Sequence, residues 1–190
     1  MSGRKKILFV TATRIGDAIL STGLLSHLME RHSDARITVA CGAPAAPLFT
    51  SIPNLDRLIV IRKKRLKRHW VSLWASCLGA RWDIVVDLRS SGLAWFLLAA
   101  ERRVKRVRGS SMHRIEELAG VLGLDDPPPP KIWSAHEYVD EAARLIPDGG
   151  PVLMLGPTAN WAGKEWRAER FVSLVRALTG SEGLFPSARV

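Results

Sequence analysis

Cysteine is nearly absent: Cys41 and Cys77 stand alone, widely separated, with no CxxC pair. That excludes a zinc ribbon or a thioredoxin-like redox motif and fits a reduced cytosolic compartment. The five histidines show no HExxH or other ligand spacing, so no catalytic metal is expected. Long apolar runs are missing too. GLAWFLLAA (92–100) covers about half a membrane span. The basic start MSGRKK leads into a short apolar run ending at Arg14, without the longer apolar region and cleavage site of a signal peptide. Any membrane association is therefore expected to be peripheral. The common phosphate-binding fingerprints are also lacking. GPTANWAGK (156–164) places six residues between its glycines and follows Lys164 with Glu165, where a P-loop needs four and a hydroxyl. The first strand–helix turn carries only Gly16, so there is no GxGxxG.

Acids are scarce, with 18 Asp and Glu against 28 Lys and Arg in 190 residues and a net charge of +10. Such an excess predicts attraction to phosphates, whether of nucleic acid, anionic lipid or a phosphorylated substrate. Much of it is local. Six of the seven residues in RKKRLKR (62–68) are basic. A solvated helix start is the plain reading, but six cations repel each other and oppose the positive end of the following helix dipole. A phosphate-binding surface is the better reading. No nucleic-acid-binding module signature accompanies it, and nucleic acid is not favoured.

A composition of 47% hydrophobic and 24% charged residues describes a globular chain with one sizeable core, or one domain and part of another. Periodicity predicts strands over 5–11, 35–40, 55–61 and 82–88, alternating with helices over 17–31, 66–79 and 91–101 and a short helix over 44–51. RVKRVRG (103–109) is expected as a fifth, more exposed strand. This alternation predicts an α/β fold, a Rossmann-like parallel sheet with helices on both faces. A helix over 113–124 precedes DDPPPP (125–130), which breaks regular structure. Another helix is expected over 134–146, then a strand over 151–156 and a helix over 167–179. That last βα unit either joins the first sheet or opens a second domain, and the second reading is favoured. The expected divisions are 1–126 for the first domain, 127–150 for a linker with a helix, and 151–190 for the incomplete start of a further domain.

Ligands of such folds bind at the carboxyl ends of the strands. TATRIGD (11–17) and LRSS (88–91) both fall there. Asp17 at a helix start is expected to cap the helix. The same position favours an ionised carboxylate facing the crevice, available as a general base. The two roles are compatible. Gly16 is expected to let the backbone turn tightly and keep the approach open.

Four stretches, in order, carry a resemblance: KKILFVTATRIGDAILSTGLLSHL, IRKKRLKRHW, WDIVVDLRSS and GPTANWAGKEWRAERFVSLVRAL. Together they resemble the ADP-heptose:lipopolysaccharide heptosyltransferases of glycosyltransferase family 9, over nearly the whole chain. The resemblance implies the amino-terminal, acceptor-binding half of a two-domain GT-B enzyme, with residues 151–190 starting the donor-binding domain. It implies inverting, metal-independent transfer of heptose from ADP-heptose to a phosphorylated lipopolysaccharide core or similar glycolipid, at the inner face of the cytoplasmic membrane. No cofactor beyond the nucleotide sugar is implied. Asp17 matches the family's base, Lys164 matches a donor-phosphate contact, and Asn160 falls near another donor contact. Arg62, Lys63, Lys64, Arg65, Lys67 and Arg68 would bind acceptor phosphates or acidic sugars. Arg167 stands where the family usually has proline, and the family's later Gly-rich donor segment has no counterpart. The expectation is a front portion with weak or no transfer by itself. The rival reading is a non-catalytic basic α/β module that binds nucleic acid or anionic lipid.

Overall fold

A computed structural model describes residues 4–62, 68–106, 112–159 and 161–190. They form two compact units, Met1–Ser134 and Ala135–Val190. The first holds five strands, β1 (Lys6–Val10), β2 (Arg36–Gly42), β3 (Leu55–Ile61), β4 (Trp82–Asp87) and β5 (Ala99–Val104), with helices α1 (Ile15–Arg31), α2 (Arg68–Cys77) and α3 (Arg114–Leu122). The sheet order is β3-β2-β1-β4-β5 and every pair is parallel.

Period-two alternation builds both faces. On β1, Ile7 and Phe9 join the core under α1 and α3, while Leu8 and Val10 join the core under α2. All four are fully buried, as a strand covered on both faces requires. The central strands are correspondingly apolar. The edge strands β3 and β5 carry Asp56, Arg57, Glu101, Arg102 and Arg103, charges that discourage another chain from pairing there.

Two expectations are corrected. Residues 91–101 do not form a helix: Leu93–Phe96 is a short 3₁₀ turn, and the chain enters β5 at Ala99. The fifth strand thus lies earlier than 103–109, and 107–111 fall outside the described residues. The reason is non-local. β5 pairs with β4 from Trp82↔Ala99 to Asp87↔Val104, and the Arg102 guanidinium donates to the carbonyls of Ala94, Leu97 and Ala99. Those carbonyls find partners without a helix. The expected strand over 151–156 is likewise absent. Only Val152 bridges Arg189, because no strand among the described residues of its unit lies beside it to support more.

The second unit contains α4 (His136–Leu145), a 3₁₀ turn at Ala162–Lys164 and α5 (Ala168–Thr179). None of its described residues is buried. In the first unit, by contrast, the proline segment is packed. The Lys131 N–H donates to Thr22 Oγ1 at 2.9 Å, and Trp133 lies against the core. Gly23 makes this approach workable, since a Cβ there would meet the Pro128 carbonyl oxygen at 2.2 Å. Gly23→Ala is therefore expected to lower stability by about 1–3 kcal/mol, the usual cost of overpacking. Urea unfolding of the two proteins measures it, and an unchanged midpoint would contradict this packing.

Candidate active site at the carboxyl edge of the sheet

The carboxyl ends of β1 and β4 lie side by side, Val10 against Asp87. From β1 the chain runs through Thr11–Arg14 into α1; from β4 it runs into Leu88–Ser91. The two loops and α3 enclose a cavity of about 230 Å³, lined among others by Thr11, Asp17, Arg89, Ser90, Lys105 and Arg114. Its floor is a buried hydroxyl pair, Thr11 Oγ1 and Ser21 Oγ at 2.6 Å. The Ser21 hydroxyl also lies 2.7 Å from the Ala18 carbonyl oxygen.

Asp87 shapes one wall. It is fully buried, and its carboxyl oxygens accept the Arg89 N–H at 2.9 Å, the Ser91 N–H at 2.9 Å and the Ser91 hydroxyl at 2.7 Å. The loop closes so tightly that Ser90 adopts φ 49°, a left-handed conformation that a residue with a Cβ takes only when its surroundings demand it. The Ser90 hydroxyl donates to the Lys105 carbonyl at 2.5 Å, tying the loop to the end of β5. Arg89 is thereby held at the crevice, with Nη1 3.4 Å from Thr13 Oγ1 and its guanidinium 6.0 Å from the Trp70 ring centre. Among the described residues no carboxylate pairs with it.

Asp17 lies in the first turn of α1. The cap position belongs to Arg14, in extended backbone and with no side-chain cap bond. Asp17 complements the helix dipole but does not cap the helix. Its side chain is 42% exposed, and its partner is Arg114, with Nε at 3.9 Å. Arg114 is held more closely by Glu117, at 2.6 Å. A loose surface pair of this kind is worth at most about 1 kcal/mol, so Asp17 can leave it at little cost. Gly16 departs from expectation: it is already helical, has no positive φ, and a Cβ there would meet nothing. No tight turn requires it, though it leaves the approach open.

Glu117 organises the far wall, paired with Lys105 Nζ at 2.9 Å and with Arg114. Burial pushes its carboxyl up, but hydrogen bonds from Lys105 and Arg114 outweigh that, and the net position is below the ordinary carboxylate value. Both thiols are out of play: burial raises Cys41 to about 12 and Cys77 to about 11, so neither forms a thiolate near neutrality.

Of the remaining sequence-derived residues, the described ones of the first unit, Arg62 and Arg68, do not line this crevice. Arg62 follows β3 and, with His69 and Leu73, lines a separate hollow of about 170 Å³. Arg68 opens α2 and is exposed. Lys63, Lys64, Arg65, Lys67 and Asn160 lie outside the described residues. Lys164 belongs to the second unit, exposed at the end of its 3₁₀ turn. Sequence reasoning missed Asp87, Lys105, Arg114 and Glu117. For Asp87 a signal existed, an acid ending an otherwise apolar strand. The other three meet only through the packing of α3 beside β5.

No protein-family model and no curated protein matches the chain. Solved structures do. A family 9 glycosyl transferase from Veillonella parvula superposes with a TM-score of 0.72 at 21% identity, over 92% of this chain and 59% of that one. The chain shares the α/β fold of the part of that structure it covers. The E. coli heptosyltransferase WaaC, solved with ADP-2-deoxy-2-fluoro heptose, gives 0.62 at 15% identity, over 93% and 66%. E. coli ADP-heptose lps heptosyltransferase II gives 0.61 at 18%, over 90% and 60%. The chain thus spans between 59% and 66% of the length of these structures, and the likeness at such identities is one of fold.

The Glu117 pairing has a sign that can be tested. A carboxyl held below its unfolded value adds stability above the unfolded pKa, and that stability is lost as pH falls through the folded one. The acid-side loss of stability, measured by urea unfolding between about pH 5 and pH 3, is expected to be shallower in Glu117→Gln. An identical slope would show that the pairing does not form.

Proposed function

We propose that the protein is an inverting glycosyltransferase of the heptosyltransferase kind. In this reading it moves heptose from ADP-heptose to a phosphorylated lipopolysaccharide core or related glycolipid at the inner face of the cytoplasmic membrane. The observation that carries it is Asp17: a half-exposed carboxylate, loosely partnered, in a crevice at the carboxyl edge of a sheet whose fold heptosyltransferases share.

The chemistry follows from that placement. Asp17 accepts the proton of an acceptor hydroxyl as its oxygen attacks the anomeric carbon of the donor. The bond from that carbon to the diphosphate breaks through an oxocarbenium-like state, ADP departs with the electron pair, and the new glycosidic bond has inverted configuration. Asp17 then releases the proton to water. Arg89 and Lys105 supply positive charge beside Asp17 and suit an anionic acceptor. On the donor side, Lys164 and Asn160 are the residues assigned to the departing phosphates, where a fixed cation offsets developing charge. The basic run from Arg62 to Arg68 attracts acceptor phosphates more broadly. The reading requires no metal and no cofactor besides the nucleotide sugar.

Asp17→Asn separates catalysis from binding. Heptose transfer to a heptose-free phosphorylated core acceptor is measured with a complete nucleotide-binding second domain supplied in cis. The substitution is expected to lower kcat by about 10²–10⁴-fold, the range for loss of a general base, with acceptor affinity unchanged. Equal turnover in both proteins would favour a basic module that binds without catalysis.

A further inference from the structure

α2 carries more apolar surface than its contacts with the sheet use. Leu73 and Cys77 are buried and Trp70 packs beside them, which accounts for one stripe. Val71, Trp74 and Leu78 form a second stripe at three- and four-residue spacing, and they are exposed. The turn after β4 extends this surface, with Phe96 74% and Leu98 75% exposed, while Trp95 lines a separate hollow beside β5 and α3. The Trp74 indole N–H donates to the Phe96 carbonyl at 3.0 Å, joining helix and turn into one face. A shallow hollow of about 320 Å³ lies between them, lined by Trp70, Val71, Trp74, Leu93 and Phe96 among others. Contiguous exposed apolar surface of this extent marks an interaction site.

The surrounding charge selects the occupant. Arg68 opens α2 and is exposed, and the Arg89 guanidinium lies 6.0 Å from the ring centre of Trp70, which lines the hollow. No acid occurs from Arg57 to Arg81, nor from Leu88 to Ala100. Indole rings beside aliphatic side chains, bordered by cations of one sign, match the interfacial zone of a bilayer. Indoles settle at headgroup depth, apolar side chains enter the acyl boundary, and Lys and Arg meet anionic headgroups. Val71, Leu78 and Leu98 have no π-face, so they contribute little to a nucleic-acid contact, where bases stack on aromatic rings.

We propose that this face, α2 with the 93–98 turn, seats the protein on an anionic lipid bilayer. Its position suits the crevice described above: Ser91 and Gly92, which follow Arg89, line the hollow. The inference deepens the glycolipid-acceptor reading and rests on it for its purpose. Its test uses neither donor nor acceptor, so each can fail alone.

The test is sedimentation of the 190-residue protein with phosphatidylethanolamine–phosphatidylglycerol vesicles, beside neutral phosphatidylcholine vesicles, with tryptophan emission read in parallel. Binding to the anionic vesicles with a blue shift, and much weaker binding to the neutral ones, is expected. Combined Phe96→Ala and Leu98→Ala substitutions are expected to reduce partitioning about tenfold or more, with the circular dichroism spectrum unchanged. Val71→Ser with Leu78→Ser, on α2 and the turn that follows it, is a second variant expected to act in the same direction. Undiminished vesicle binding by both variants would overturn the proposal in favour of charge alone. So would a dimer, without vesicles, that these substitutions dissociate, or a preference for single-stranded RNA over vesicles.

Discussion

The site depends on the buried carboxyl of Asp87. In a parallel sheet the loops at the carboxyl edge have no ladder to organise them, and their N–H groups need other partners. Asp87 provides these from the end of a central strand by taking two loop N–H groups and one hydroxyl. Each donor left unpaired in that buried setting would cost about 1–3 kcal/mol, which is why Ser90 tolerates a left-handed backbone. Arg89 inherits its position from this closure. The crevice wall is set by the strand rather than by anything the loop does alone.

Electrostatic balance around the crevice follows from how the cations are shared. Glu117 engages Lys105 and Arg114, leaving Arg114 in loose contact with Asp17 and Arg89 without a carboxylate among the described residues. A carboxylate locked to its own arginine would make a poor base. One that lies at 3.9 Å from an arginine already committed elsewhere keeps its lone pairs accessible while remaining near positive charge. The helix dipole at the start of α1 adds to that field.

Much of this architecture was legible in the residues. β3 was read at both of its ends, Leu55 and Ile61, because a short β-rich run is bounded by turn residues. The central strands and α1 were found to within a few residues, since burial on both faces leaves little room for polar residues. The placement of Asp17 at the carboxyl edge followed from strand–helix alternation alone. GLAWFLLAA misled because it consists largely of good helix formers with no breaker after Gly92; its course is decided by pairing with β4 and by Arg102, both remote from the local pattern. PVLMLG has the composition of a strand but no neighbouring strand among the described residues of its unit. Lys105, Arg114 and Glu117 were invisible for a related reason: no local spacing records that the end of β5 meets α3.

The central claim is that the carboxyl-edge crevice, shaped by Asp87 and fronted by Asp17, is where a phosphorylated sugar acceptor binds. Backbone amide chemical shifts, followed by NMR during titration with a phosphorylated core disaccharide, test it most directly. The account predicts that the largest changes fall at Asp17, Arg89, Ser90 and Arg114. Changes confined to the amino-terminal edge of the sheet, around Lys5, Arg31 and His32, would contradict it.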